Sequence, residues 1–183
     1  MFLANDSPAV AQSRPLNSLV RAADMYMIIY PKFGMKPLAI VRAGQIYVDY
    51  ERRGFFRIGL LPIPVAENVQ IQIQSADCLT NALLALGSWD QSSVGVKRLE
   101  LRNLEIRLFG EEHPRLSAAN ARAGPDGSLE LTKVSLFTAT GQPTSIPKAT
   151  LQVGGSSVGW LHWNIDGQPQ DAFLFSSTSN KTP

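Results

Sequence analysis

Among 183 residues there is one cysteine, Cys78. A disulfide framework is therefore excluded, and so is a cysteine-rich zinc site. Histidine is almost as scarce. His113 and His162 are the only two, so a histidine-rich metal centre cannot be assembled and no metal is expected. Charge is thin as well: 17% of residues are charged, against an average of about 25%. The formal net charge is +2, and the basic residues are interleaved with acids, which argues against nucleic acid as a partner. No apolar run approaches the roughly 18 residues of a membrane-spanning helix. There is no glycine-rich phosphate loop, no nucleophile elbow and no recognisable pair of catalytic acids. A non-enzymatic chain without cofactor is the expectation.

What is present is apolar content sufficient for a core, 44% of the residues. The length suits a single β-rich domain over residues 15–183. Residues 1–14 read as a disordered polar leader. Within it Ala9-Val10-Ala11 has the small-x-small form of an export cleavage site, without the charged and apolar regions that should precede one.

Two short helices are expected. In the first, about 15–28, Pro15 suits a first helical position and Leu16, Leu19, Val20, Ala23 and Met27 follow helical spacing up to Pro31, although the tail YMIIY suits a strand equally. In the second, about 75–87, Leu79, Ala82, Leu83 and Leu86 form one stripe, with Ser75 or Asp77 as cap and Gly87 at the end. Between them lie strands, with turn signals at Ala43-Gly44 and Arg53-Gly54. In NVQIQIQ, Val69, Ile71 and Ile73 alternate with Gln70, Gln72 and Gln74. From 96 to 175 only strands are expected.

The strand LELRNLEIRLF changes phase in its middle: Leu99 and Leu101 alternate, then Leu104, Ile106 and Leu108 continue one position late. LELTKVSL and VGWLHWNI repeat the pattern, beginning at Leu129 and Val158, 30 and 29 residues apart. Fixed-period similarity points to stacked hairpin units. A β-bulge, with two residues facing one, would keep the apolar side chains of each strand on one face. The other face would then carry Arg98, Glu100, Arg102, Glu105 and Arg107, pairing across strands. The expected fold is all-β: a curved antiparallel sandwich or open β-jelly roll built from stacked bulged hairpins.

The stretch Pro114 to Gln142 resembles the repeat of the OstA/LptC-type lipopolysaccharide transport family. It has a small-residue strand (Ala118 to Ala123), an Asp126-Gly127 turn, a shifted apolar strand (Leu129 to Phe137) and a polar turn at Thr140-Gly141. AsmA-like envelope proteins are nearly as similar. The resemblance implies an open jelly roll in the periplasm or cell envelope that holds acyl chains, with a cytoplasmic location as the alternative.

On that reading the ligand is a lipid or lipid-linked glycan. Its lining would be Leu99, Leu101, Leu104, Ile106, Leu129, Leu131, Val134, Leu136, Trp160 and Trp163, with both tryptophans on the inner face. Arg52, Arg53 and Arg57, around Phe55 and Phe56, form a candidate basic surface for lipid phosphates, or a solvated hairpin turn. The alternative function is assembly: open sheet edges that pair with a second copy or with other β-rich envelope proteins by strand addition. Cys78 with His162 would make a thiol and base only if the fold joined them. The same holds for a mixed site of a histidine with Asp166 or Asp171.

Overall fold

The computed structural model describes residues 21–50, 62–87, 99–124, 127–137 and 142–175. The strands are β1 (Arg21–Ile29), β2 (Ala39–Tyr50), β3 (Pro62–Ile73), β4 (Glu100–Leu108), β5 (Leu116–Ala123), β6 (Ser128–Phe137), β7 (Pro143–Gln152), β8 (Trp160–Ile165) and β9 (Gln168–Phe173). The helix α1 (Cys78–Gly87) lies between β3 and β4, and Gly155–Ser157 forms a 3-10 turn. All strands belong to one nine-stranded sheet in the order β1 to β9. Every neighbouring pair is antiparallel except β3 and β4, which are parallel. Parallel neighbours need a crossover, and α1 lies on it.

The all-β curved sheet expected from the sequence is present, as a single open sheet with one α-helix among the described residues. The helix expected over 15–28 is not formed in its described part. Residues 21–29 are β1, paired along β2 from Arg21↔Tyr47 to Ile29↔Ala39. Met25, Met27 and Ile29 turn to the core while Tyr26, Ile28 and Tyr30 stay exposed. This period-2 split, together with β-branched and aromatic content, outweighs the helical spacing of Ala23 and Met27.

The core lies on one face of the sheet. Leu79, Ala82, Leu83 and Leu86 of α1 are buried in one cluster with Val41 of β2, Ile71 of β3, Leu101 and Leu104 of β4, Leu131 of β6 and Leu151 of β7. α1 packs on β2 and β3, yet its Thr80 hydroxyl donates to the carbonyl of Val153, just past β7. In a flat sheet β3 and β7 would stand four strand spacings apart, roughly 19 Å. That exceeds the roughly 10–12 Å width of a helix, so the sheet must curl around α1.

The phase slip is real, but it is not a bulge of two residues against one. Arg102 faces Asn120 and Leu104 faces Ala118, which leaves Asn103 opposite Ala119. The same one-to-one row crosses the sheet from β1 to β7: Asp24, Gly44, Asn68, Asn103, Ala119, Lys133 and Pro147. Every strand from β1 to β7 shifts phase at one shared row, so register is kept on both sides. We call this row the crease.

The strands running one way carry a left-handed residue there: Asp24, Asn68, Asn103 and Lys133 have φ of 51, 54, 51 and 51°. Asparagine and aspartate tolerate that conformation best after glycine. Across the parallel β3–β4 step the two asparagines meet, and Asn103 Nδ2 donates to Asn68 Oδ1 at 3.0 Å. Gly44 gives them room, since a Cβ there would press on Asn68 Cβ at 3.3 Å. Pro147, which lacks an N–H, occupies an interior strand at the row where the ladder skips a pair. The turn expected at Ala43-Gly44 is therefore this crease, inside an unbroken β2.

The face away from the core carries a charged network beside the crease. Arg102 donates to Glu67 Oε1 (3.0 Å), Glu100 Oε1 (3.0 Å) and the Tyr47 hydroxyl (2.8 Å). Tyr47 in turn donates to Glu67 Oε1 at 2.7 Å, and Arg122 pairs with Glu100 at 3.0 Å. Arg107 pairs with Glu105 along the same strand, while Arg98 lies outside the described residues.

Burial, then the hydrogen bond to Glu67, push the Tyr47 phenol up to about 12. The unfolded chain loses this proton near pH 10, so the stabilisation is complete below pH 10 and disappears as pH rises toward 12. Two units correspond to about 3 kcal/mol. About 2 kcal/mol of this is lost between pH 9 and pH 11.5, so urea unfolding at those two pH values should show that loss in the wild type, and Tyr47→Phe should reduce it by that amount. Equal pH dependence in the two proteins would contradict the assignment.

Candidate functional site

Two sheet edges are unpaired among the described residues, and they differ in kind. β9, at one edge, has the sequence QPQDAF. Pro169 removes a donor and Asp171 adds a charge, which are ordinary guards against strand addition. β1, at the other edge, is RAADMYMII. Beyond the crease residue Asp24, the stretch Met25–Ile29 has neither charge nor proline. Alternate N–H and C=O groups of β1 point away from β2. Tyr26 and Ile28 are 50% and 41% exposed on the outer face, and the Arg42 guanidinium stands 5.2 Å from the Tyr26 ring centroid. An edge of this composition is a template for another strand.

A cleft of about 930 Å³ opens where β7 and β8 part. These strands pair only from Ala149↔Trp163 to Leu151↔Leu161. Lys148, Thr150, His162, Trp163 and Asp171 line the fork. His162 faces Asp171 across the β8–β9 hairpin, with no hydrogen bond between them. Among the described residues, the cleft lining offers no hydroxyl or thiol held against a base.

The acyl-lining candidates are distributed unevenly. Leu99, Leu101, Leu104, Ile106, Leu129, Leu131 and Val134 are buried together in the core that α1 covers, and Leu136 packs against it. The tryptophans do not share a face. β8 runs in unbroken register from Trp160↔Phe173 to Ile165↔Gln168, so it has no phase slip, and residues three apart point to opposite sides. Leu161 takes the buried position, Trp160 is 38% exposed and Ile165 50% exposed. Trp160 instead stacks 5.7 Å from Phe173. The apolar-x-apolar-x-x-apolar spelling of this unit is matched by chance, because Trp160 and Ile165 lie on the exposed hairpin.

Arg52, Arg53 and Arg57 lie outside the described residues. Cys78 and His162 are not brought together: the thiol is buried on α1, 3.4 Å from Ser75 Oγ, and His162 is exposed on β8. His113 is exposed too. Asp166 sits in the β8–β9 turn at φ 49°. Among the described residues, no group of three or more His, Cys, Asp or Glu could hold a metal ion.

The sequence reading missed the crease in β1, β2, β3, β5 and β7. The signal was there: Ala43 to Ile46 and Ala66 to Val69 each step by three in the buried set, as Leu101 to Leu104 does. The strand composition of β1 was legible in YMIIY, but its place at the sheet edge was not. Comparison with protein-family models, with curated proteins and with solved structures gave no match.

Proposed function

We propose that this chain is a non-enzymatic assembly module that pairs with a second copy of itself along the outer edge of β1. The contrast between the two edges carries this reading: β9 is guarded and β1 is not. An antiparallel two-fold pairing centred on Met27 sets Met25 against Ile29 of the second copy and Tyr26 against its Ile28. No charge lies in this stretch, so an isologous contact meets no like-charge repulsion. It also leaves Asp24 of each copy outside the paired segment.

The acyl-carrier reading has less support, since its lining leucines already pack with α1. In the pairing proposed here, Met27 of each copy faces its counterpart with Cα atoms roughly 4.5–5.5 Å apart, within disulfide reach. Light scattering should give twice the chain mass of 20.0 kDa. Met27→Cys should form a disulfide-linked dimer on mild oxidation, with the buried Cys78 silent. Tyr26→Lys with Ile28→Lys should give a folded monomer. A wild type that stays monomeric at all concentrations, together with a Met27→Cys chain that does not cross-link, overturns the proposal.

A further inference from the structure

The loop that follows β1 is built unlike the rest of the surface. Phe33 and Met35 are 86% and 96% exposed, the most exposed large apolar side chains among the described residues. Such side chains are normally buried, and a pair of them at a loop tip marks a contact. The loop is not slack: Leu38 N–H donates to the Ile29 carbonyl at 2.7 Å, closing its neck, and Pro31 and Pro37 restrict its two sides.

Charge identifies what the tip meets. Lys32 and Lys36 flank the two apolar side chains, and no aspartate or glutamate lies between Asp24 and Asp49. Among the described residues neither ammonium pairs with a carboxylate, and Lys32 Nζ lies 5.7 Å from the Phe33 ring centroid. Tyr30, 54% exposed, sits at the neck. Apolar points in front, lysines beside them and tyrosine behind match the layers of a bilayer surface: acyl boundary, anionic headgroups and interface. A protein pocket would shield an aromatic anchor from several sides and would not need two free lysines around it.

We infer that the Pro31–Pro37 loop docks on an anionic lipid bilayer, with Phe33 and Met35 entering the headgroup–acyl boundary and Lys32 and Lys36 on the headgroups. This is independent of β1 pairing. In an antiparallel pair the two loops would face opposite ways, so one loop per vesicle suffices.

The test is flotation of the full chain with vesicles of phosphatidylcholine alone, or with one quarter phosphatidylglycerol. The wild type should float with the anionic vesicles and roughly tenfold less with the neutral ones. Phe33→Ser with Met35→Ser, and separately Lys32→Glu with Lys36→Glu, should each lower anionic binding roughly tenfold or more, with thermal melts unchanged because all four side chains are exposed. Phe33→Trp should blue-shift on adding anionic vesicles. Absent or charge-independent wild-type binding, or variants that float like the wild type, overturns the inference. A Phe33→Trp spectrum that shifts with protein concentration and not with vesicles would make the loop a protein contact instead, and also overturns it.

Discussion

Deleting Asn103 should leave no folded protein. By local pattern the deletion is a correction, since LELRLEIRL alternates without a break. If Asn103 were the extra residue of a two-against-one bulge, removing it would align β4 with its neighbours, and the chain would tolerate the loss. At the crease the outcome reverses. Asn68 on one side and Ala119 on the other each carry their own matching residue. A shortened β4 can keep register with both neighbours on only one side of the row. Either the pair Leu99 and Leu101 or the pair Leu104 and Ile106 is then displaced, and all four are buried. Losing a buried leucine or isoleucine costs about 2–5 kcal/mol, and two of them approach the whole stability of a typical domain, about 5–15 kcal/mol.

The companion substitution separates backbone from side chain. Asn103→Gly keeps the left-handed conformation and loses one exposed hydrogen bond, so it should stay folded within about 1 kcal/mol of wild type. Circular dichroism melts and amide proton dispersion check both variants. A folded deletion variant melting within a few degrees of wild type would restore the bulge and remove the crease.

How much of this was legible depends on which physical scale wrote the signal. Leu101 and Leu104 stay on one face because each strand must bury its own apolar set, and that demand appears in a single strand's spelling. Whether one residue or two lie opposite the slip is decided by the neighbour, so a single strand does not carry it. Lys133 shows the difference. Nothing about a lysine announces φ of 51°; Lys133 shares it with Asp24, Asn68 and Asn103, the other residues of the row on strands running the same way. The crease in β2 was hidden by chemistry that suits turns equally well, since Ala43-Gly44 reads as a break when only local preference is weighed.

The β1 segment failed differently. Ala23 and Met27 suit a helix face, and pairing with β2 decided the matter. α1 was read correctly because its stripe of Leu79, Ala82, Leu83 and Leu86 is both locally helical and globally buried. The β1 edge was visible as composition in YMIIY, but that it is an edge is a property of topology. Trp160 and Trp163 misled because a matched spelling without matched register has no structural content.

Replacing Leu79 and Leu83 together by alanine should detach α1 and expose the face it covers. Both side chains are buried, at 0% and 2% exposure, and each truncation costs about 2–5 kcal/mol with the cavity it leaves. A helix of ten residues is marginal in water without packing, so α1 has little reason to persist once these contacts are gone. In a domain of this size each kcal/mol moves the melting temperature by roughly 2–4 °C, which places the double variant roughly 8–40 °C below wild type. Losing the helix uncovers Val41 and Ile71 on β2 and β3, and an environment-sensitive apolar dye should light up with the variant and stay dark with the wild type. Leu84→Ala is the internal control. It lies on the same helix but is 47% exposed, so the same chemical change there should cost less than about 1 kcal/mol. If Leu84→Ala costs as much as Leu83→Ala, the helix is not seated as described. If the wild type takes up dye as readily as the double variant, the concave face holds an open lumen, and the acyl-carrier reading would displace the assembly reading.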